Sequence, residues 1–132
     1  MPSAHKRGEC HTCGAKCCRY VVVAISRPRT RIDREEIRWF LAHENVAVFI
    51  DHDDDSWNVQ FTTRCRHLDR RHRCRIYGAR YQVCAEHDPV ECEDTGLEVN
   101  ATVFTRPEEY DAWRVAQALK RRRKRRLVRK RK

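Results

Sequence analysis

The chain has 132 residues, enough for one domain with a modest core. Hydrophobic content is 40% against 36% charged, and no stretch approaches the ~20 apolar residues of a membrane span. The formal net charge of +10 is unevenly placed: residues 120–132 hold eleven Lys or Arg and no acid, and the remainder holds 18 basic against 19 acidic residues. A near-neutral body (1–119) therefore carries a basic C-terminal tail (120–132).

Taken in order, the chain begins with four thiols close together, Cys10, Cys13, Cys17 and Cys18. Tyr20–Ile25 is a continuous β-branched run and predicts a short buried strand, ended by Pro28, which lacks the donor a ladder needs. Asp33 followed by Glu36 resembles a capping box, and Ile37, Phe40 and Leu41 fall at helical spacing. A helix over Asp33–Glu44 follows, its stripe read as core with no cofactor role for Trp39 or Phe40. Val46–Ile50 and the alternating Trp57–Thr62 predict a hairpin with Trp57, Val59 and Phe61 inward. Its acidic turn, Asp51–Ser56, lacks the spacing and terminal Glu of a calcium loop and reads as a solvated tip.

From Thr62 to Glu93 nothing is periodic for more than a turn or two. Apolar burial alone does not order such a segment, whereas metal ligation does, because ligation free energy becomes folding free energy. Leu97–Phe104 is read as a last strand. Thr105 as N-cap, Pro107 in the first turn and Glu108 open a second helix, with Tyr110, Trp113 and Leu119 on its buried side. Repulsion among the tail's like charges predicts fraying beyond it. The expectation is a small, loop-rich, metal-stabilised α+β domain with short strands and two helices.

The chemistry lies in eight cysteines: Cys10, Cys13, Cys17, Cys18, Cys65, Cys74, Cys84 and Cys92. Basic residues near the start are followed by no apolar run, so no secretory signal is recognised and a cytoplasmic setting is expected. There thiols stay reduced, and clustered cysteines point to metal over disulfides. Thiolate is a soft anionic ligand suited to zinc, iron–sulfur clusters and copper(I). Cys10-x2-Cys13 lets two sulfurs converge from a tight turn, helped by Gly14. Cys17 and Cys18 point apart in extended backbone, so they serve different ions or one of them packs as a small hydrophobe. Eight thiols suffice for two four-sulfur sites; seven or fewer ligands with a histidine substitute fit equally. His11, His67 and His87 are the candidate nitrogen ligands or outer-shell donors, while His5, His43, His52 and His72 are read as surface side chains.

Cys10-x2-Cys13-x3-Cys17-Cys18-Arg19, then Cys65, Cys74-Arg75-Ile76-Tyr77 and Cys84, resembles the YkgJ-like cysteine-cluster family of zinc- or iron-chelating domains. The resemblance runs from about Cys10 to Glu93 and takes in Ile37–Glu44 and Val46–Ile50. One departure is Arg80-Tyr81, where the family has Arg-Pro ahead of the cysteine matching Cys84. The resemblance implies metal binding, and an older description of the family as iron–sulfur oxidoreductases travels with it.

Three functions compete. The first is a non-catalytic protein that chelates zinc or iron, the second an iron–sulfur protein with a redox or transfer role. The third is a zinc-stabilised module that contacts nucleic acid or another polyanion nonspecifically through residues 120–132. That tail has no aromatic residue to stack on bases. A Gly-rich phosphate loop, a His-Glu-x-x-His and a deaminase signature are all absent, so the weight falls on binding over catalysis.

Overall fold

Among the described residues four strands form one antiparallel sheet in the order β1-β3-β2-β4: β1 is Tyr20–Ile25, β2 Val46–Asp51, β3 Ser56–Thr62 and β4 Ala101–Phe104. The structure, a computed structural model, describes residues 18–85 and 101–131. Because β3 lies between β1 and β2, the helix joining those two, α1 (Arg31–Leu41), completes a split β-α-β unit. β2 and β3 are the predicted hairpin, with Val48 opposite Val59 and Ile50 opposite Trp57. At its tip Asp51 accepts from the amide of Asp53 and Asp54 from that of Ser56, so these two carboxylates close the turn.

Alternation puts Val48, Ile50, Trp57 and Val59 on one face, where Ile37 and Leu41 of α1, Phe104 of β4 and Tyr110 of the last helix meet them. All eight are buried, and no cysteine is among them. The rings of Trp57, Phe104, Tyr110 and Trp113 stand 5.5–6.4 Å apart in a mutual cluster at one end of this core.

α1 starts earlier than its periodicity suggests. Thr30 is the N-cap: its hydroxyl accepts from the Asp33 amide at 3.1 Å, and Asp33 in turn accepts from the Thr30 amide at 3.0 Å. Asp33 is thus the far side of the capping box and not its N-cap. The helix stops at Leu41 and not Glu44, with Ala42 as its C-cap, and Asn45 then turns into β2 with a left-handed φ of 63°, a conformation asparagine tolerates.

β1 is not the buried strand its composition predicts. Among the described residues it pairs on one side only, and Val21, Val22 and Val23 are 49%, 40% and 49% exposed. Among the described residues the main helix contacts with the sheet are those of α1 with β2 and of α3 with β4, away from this edge.

Beyond β3 come a 3-10 turn, Tyr77–Ala79, and a one-turn helix α2, Gln82–Ala85. Of the predicted strand Leu97–Phe104, residues 97–100 lie outside the described ones. The last helix, α3, spans Pro107–Lys130. Its N-cap is Arg106, and Glu109, not Glu108, reaches back to the hydroxyl and amide of Thr105 at 2.7 and 3.3 Å. Tyr110 is buried and Trp113 half-buried, whereas Leu119 is 59% exposed and belongs to no core. α3 does not fray at the basic tail; it continues through residue 119 without a break. Among the described residues no helix is long and apolar enough to cross a membrane.

Candidate metal centre

The second cysteine group hangs from the end of the β1–β3 ladder. Past the last strand pair the ladder continues for two more bonds: the Thr63 amide donates to the Arg19 carbonyl and the Cys65 amide to the Cys18 carbonyl, both at 2.8 Å. Residues far apart in sequence are thereby adjacent in backbone. Cys18, the last thiol of the first cluster, meets Cys65, the first of the second.

From Cys65 the chain folds back on itself around Leu68, which is 3% exposed although it lies outside the sheet core. Leu68 and Cys74 form an isolated antiparallel bridge, and the Arg75 amide donates to the His67 carbonyl at 2.8 Å. Asp69 organises the reversal between them. Its carboxylate accepts from the amides of Arg71 and Arg73 at 2.8 and 2.9 Å, and its own amide donates to the Arg73 carbonyl at 2.9 Å. The Arg73 amide, helped by that of Arg71 and by the charges of Arg73 and Arg75, holds the Asp69 carboxyl below the usual carboxylate range. His72 takes the left-handed φ of 62° that closes the turn.

Two arginines brace the excursion. Arg64 donates to the carbonyls of Leu68 and Asp69 at 2.9 and 3.1 Å. Arg19 lies 2.8 Å from Nδ1 of His72, so that half-buried histidine is tied back to the start of β1 and is not the surface side chain its sequence context suggests. His67, one of the three candidate nitrogen donors, has its Nε2 3.2 Å from the Tyr81 hydroxyl. Tyr81 stands where proline is expected, and the turn into α2 closes without it, by donation from the Cys84 amide to the Tyr81 carbonyl at 3.0 Å. His43 and His52 are exposed as expected.

Cys18, Cys65 and Cys74 are half-buried and Cys84 is exposed on α2; Cys65, Cys74 and Cys84 are in no disulfide. Cys10, Cys13, Cys17 and Cys92, with His11 and His87, lie outside the described residues. Among the described residues no three of His, Cys, Asp or Glu converge closely enough to hold an ion.

The donor chemistry of this segment nevertheless fits a thiolate-bound cation. A zinc or iron ion held by four thiolates carries net negative charge, and residues 63–85 contain seven arginines against one aspartate. One of them, Arg80, stacks on Tyr77 with its guanidinium 4.1 Å from the ring centre and donates to the Cys84 carbonyl at 3.3 Å. Its buried Nε and the Tyr77 hydroxyl have no hydrogen-bond partner among the described residues. An N–H donor left over beside Cys84 suits a sulfur acceptor.

Fold and site together define a small α+β domain whose sheet presents a cysteine-bearing, arginine-rich excursion. The chain belongs to the CxxCxxCC family, whose description is "Putative zinc- or iron-chelating domain" and whose profile matches residues 9–115, a span that includes all eight cysteines. No curated protein and no solved structure gives a significant match to the chain.

Proposed function

We propose that this protein binds zinc or iron through thiolates drawn from both cysteine groups, Cys10, Cys13, Cys17 and Cys18 with Cys65, Cys74, Cys84 and Cys92. The observation that supports the reading most is the bond from the Cys65 amide to the Cys18 carbonyl at 2.8 Å, which gives the two groups a common anchor at the end of the sheet. Bound metal supplies a cross-link to residues 63–85, where Leu68 is the one buried hydrophobic residue among those whose burial is described. The chain's own residues do the rest: Asp69 fixes the reversal, Arg19 and Arg64 tie it to β1, and the arginines offset thiolate charge.

The same thiolates suit an iron–sulfur cluster, the second reading, and the two differ in their content. Anaerobically purified protein is assayed for zinc, iron and acid-labile sulfide. Colourless protein with stoichiometric zinc identifies a closed thiolate site, and brown protein with matching iron and sulfide identifies a cluster. Protein that carries neither metal after anaerobic preparation overturns the proposal.

A further inference from the structure

At the end of the β1–β3 ladder opposite Cys18 and Cys65, the loop before α1 and one face of α3 line a half-open cavity of about 430 Å³. Among the described residues five arginines line it, Arg27 and Arg29 from the loop, Arg34 from α1, and Arg114 and Arg121 from α3, and no acid does. Its inner wall is aromatic: Trp57 and Tyr110, both buried, and Trp113. Among the described residues none of these five guanidinium groups is in an ion pair; the nearby pairs are Arg31–Glu35 and Arg38–Asp111. Asp33, the acid closest in sequence to the loop, is engaged by the amides of Arg29 and Thr30.

Like charges are concentrated here at an electrostatic cost, against a wall of low dielectric that focuses their field outward. That arrangement is stable when an anion fills it, and guanidinium forks match phosphate oxygens. The positive surface also does not end at the cavity. At helical spacing Arg125 follows Arg114 and Arg121 on the same face of α3, and the helix carries further Lys and Arg, all exposed, to Lys130. A small phosphorylated molecule would use the cavity alone; a chain of phosphates uses the cavity and the helix together.

We propose that this arginine cavity is a phosphodiester-binding site, which seats the backbone of a single-stranded nucleic acid that then follows α3. None of the described cysteines, Cys18, Cys65, Cys74 and Cys84, lines the site, and the proposal does not depend on which metal they hold. It also differs from nonspecific attraction to the tail, since four of its five arginines, Arg27, Arg29, Arg34 and Arg114, lie outside the tail.

The test is fluorescence anisotropy of a labelled oligouridine with the 132-residue, metal-loaded protein across a salt series. Arg27→Ala/Arg29→Ala/Arg34→Ala removes three charges from the cavity. Lys120→Ala/Arg123→Ala/Lys130→Ala removes three from the opposite face of α3. The cavity variant is expected to bind at least about tenfold more weakly and to lose about 2 from the slope of log K against log salt, as three lost phosphate contacts imply for a single strand. The α3 variant is expected to change affinity less than about threefold, its side chains being off the strand's path. Arg34 is half-buried, so Arg27→Ala/Arg29→Ala, confined to exposed loop side chains, is run alongside and is expected to show part of the same loss. Equal weakening by both triple variants overturns the proposal, because charge alone then explains binding. Undiminished binding by the cavity variants overturns it too, as does complete displacement of the oligonucleotide by low concentrations of inorganic pyrophosphate.

Discussion

The amide of Cys65 donates to the carbonyl of Cys18 at 2.8 Å, the second bond beyond the β1–β3 ladder proper. It joins residues 18 and 65 through backbone atoms alone, so exchanging either side chain leaves the bond in place. This separates the sulfur's role from the fold's. Cys65→Ser and Cys74→Ser are each expected to lower bound metal below half of the wild-type amount, with the far-UV circular dichroism of the sheet and helices retained. Elemental analysis beside the spectrum checks both at once. A serine variant that keeps its full complement of metal removes that residue from the ligand set.

Asp69 gives the excursion a pH dependence of known sign. Its folded pKa is lowered, as are those of Asp33, held down first by the Arg29 amide, and Asp54, held down first by the Ser56 hydroxyl. A carboxylate with a lowered folded pKa stabilises fully above its unfolded value of ~3.9 and loses that contribution as pH falls through the folded value. Stability is therefore expected to fall on acidification below about pH 4. Asp69→Asn keeps an acceptor for the Arg71 and Arg73 amides but has no proton to gain. Its acid limb is expected to be shallower than wild type in denaturant titrations repeated at each pH.

The apolar core makes its own prediction, independent of the cysteines. Trp57 is 5% exposed and touches Phe104, Tyr110 and Trp113. Trp57→Ala is expected to cost about 3–5 kcal/mol, read as a lowered urea midpoint at unchanged slope. Leu119→Ala, on an exposed face of α3, is expected to cost under about 0.5 kcal/mol.

Much of this architecture was legible in the residues, and the misses have local causes. β1 and the β2–β3 hairpin follow from β-branched runs and period-two alternation, and Trp57, Val59 and Phe61 do turn inward, with Phe61 partly buried. What a run such as Val21-Val22-Val23 does not reveal is its place in the sheet. Edge and centre strands share a composition, and only pairing decides which is covered. The caps were displaced because Asp33 and Glu109 each act from the third or fourth position back onto a threonine, and several acids near a helix start look alike in sequence. Leu119 shows the limit of periodicity: its spacing from Tyr110 is helical, but α3 has left the sheet by then. The arginine cavity was invisible, since its members come from three separate stretches. For the metal centre, thiol spacing gave the chemistry, and the backbone gives the anchor between Cys18 and Cys65.

The displaced cap can be checked directly. Thr30→Ala removes the hydroxyl that accepts from the Asp33 amide and is expected to destabilise by about 1 kcal/mol, with a shift in the thermal midpoint. Glu36→Ala is expected to be close to neutral, since Asp33 and not Glu36 closes the box. The opposite ranking would restore the later helix start.

Hydrogen exchange with and without a chelator tests the central claim most directly. Metal removal is verified by elemental analysis, and amide protection is read along the whole chain. If thiolate-bound metal orders the cysteine excursion while the apolar sheet stands by itself, chelation collapses protection at Arg71, Arg73 and Arg75 and leaves Val48 and Val59 protected. Unchanged protection across residues 63–85 in verified metal-free protein would contradict the account.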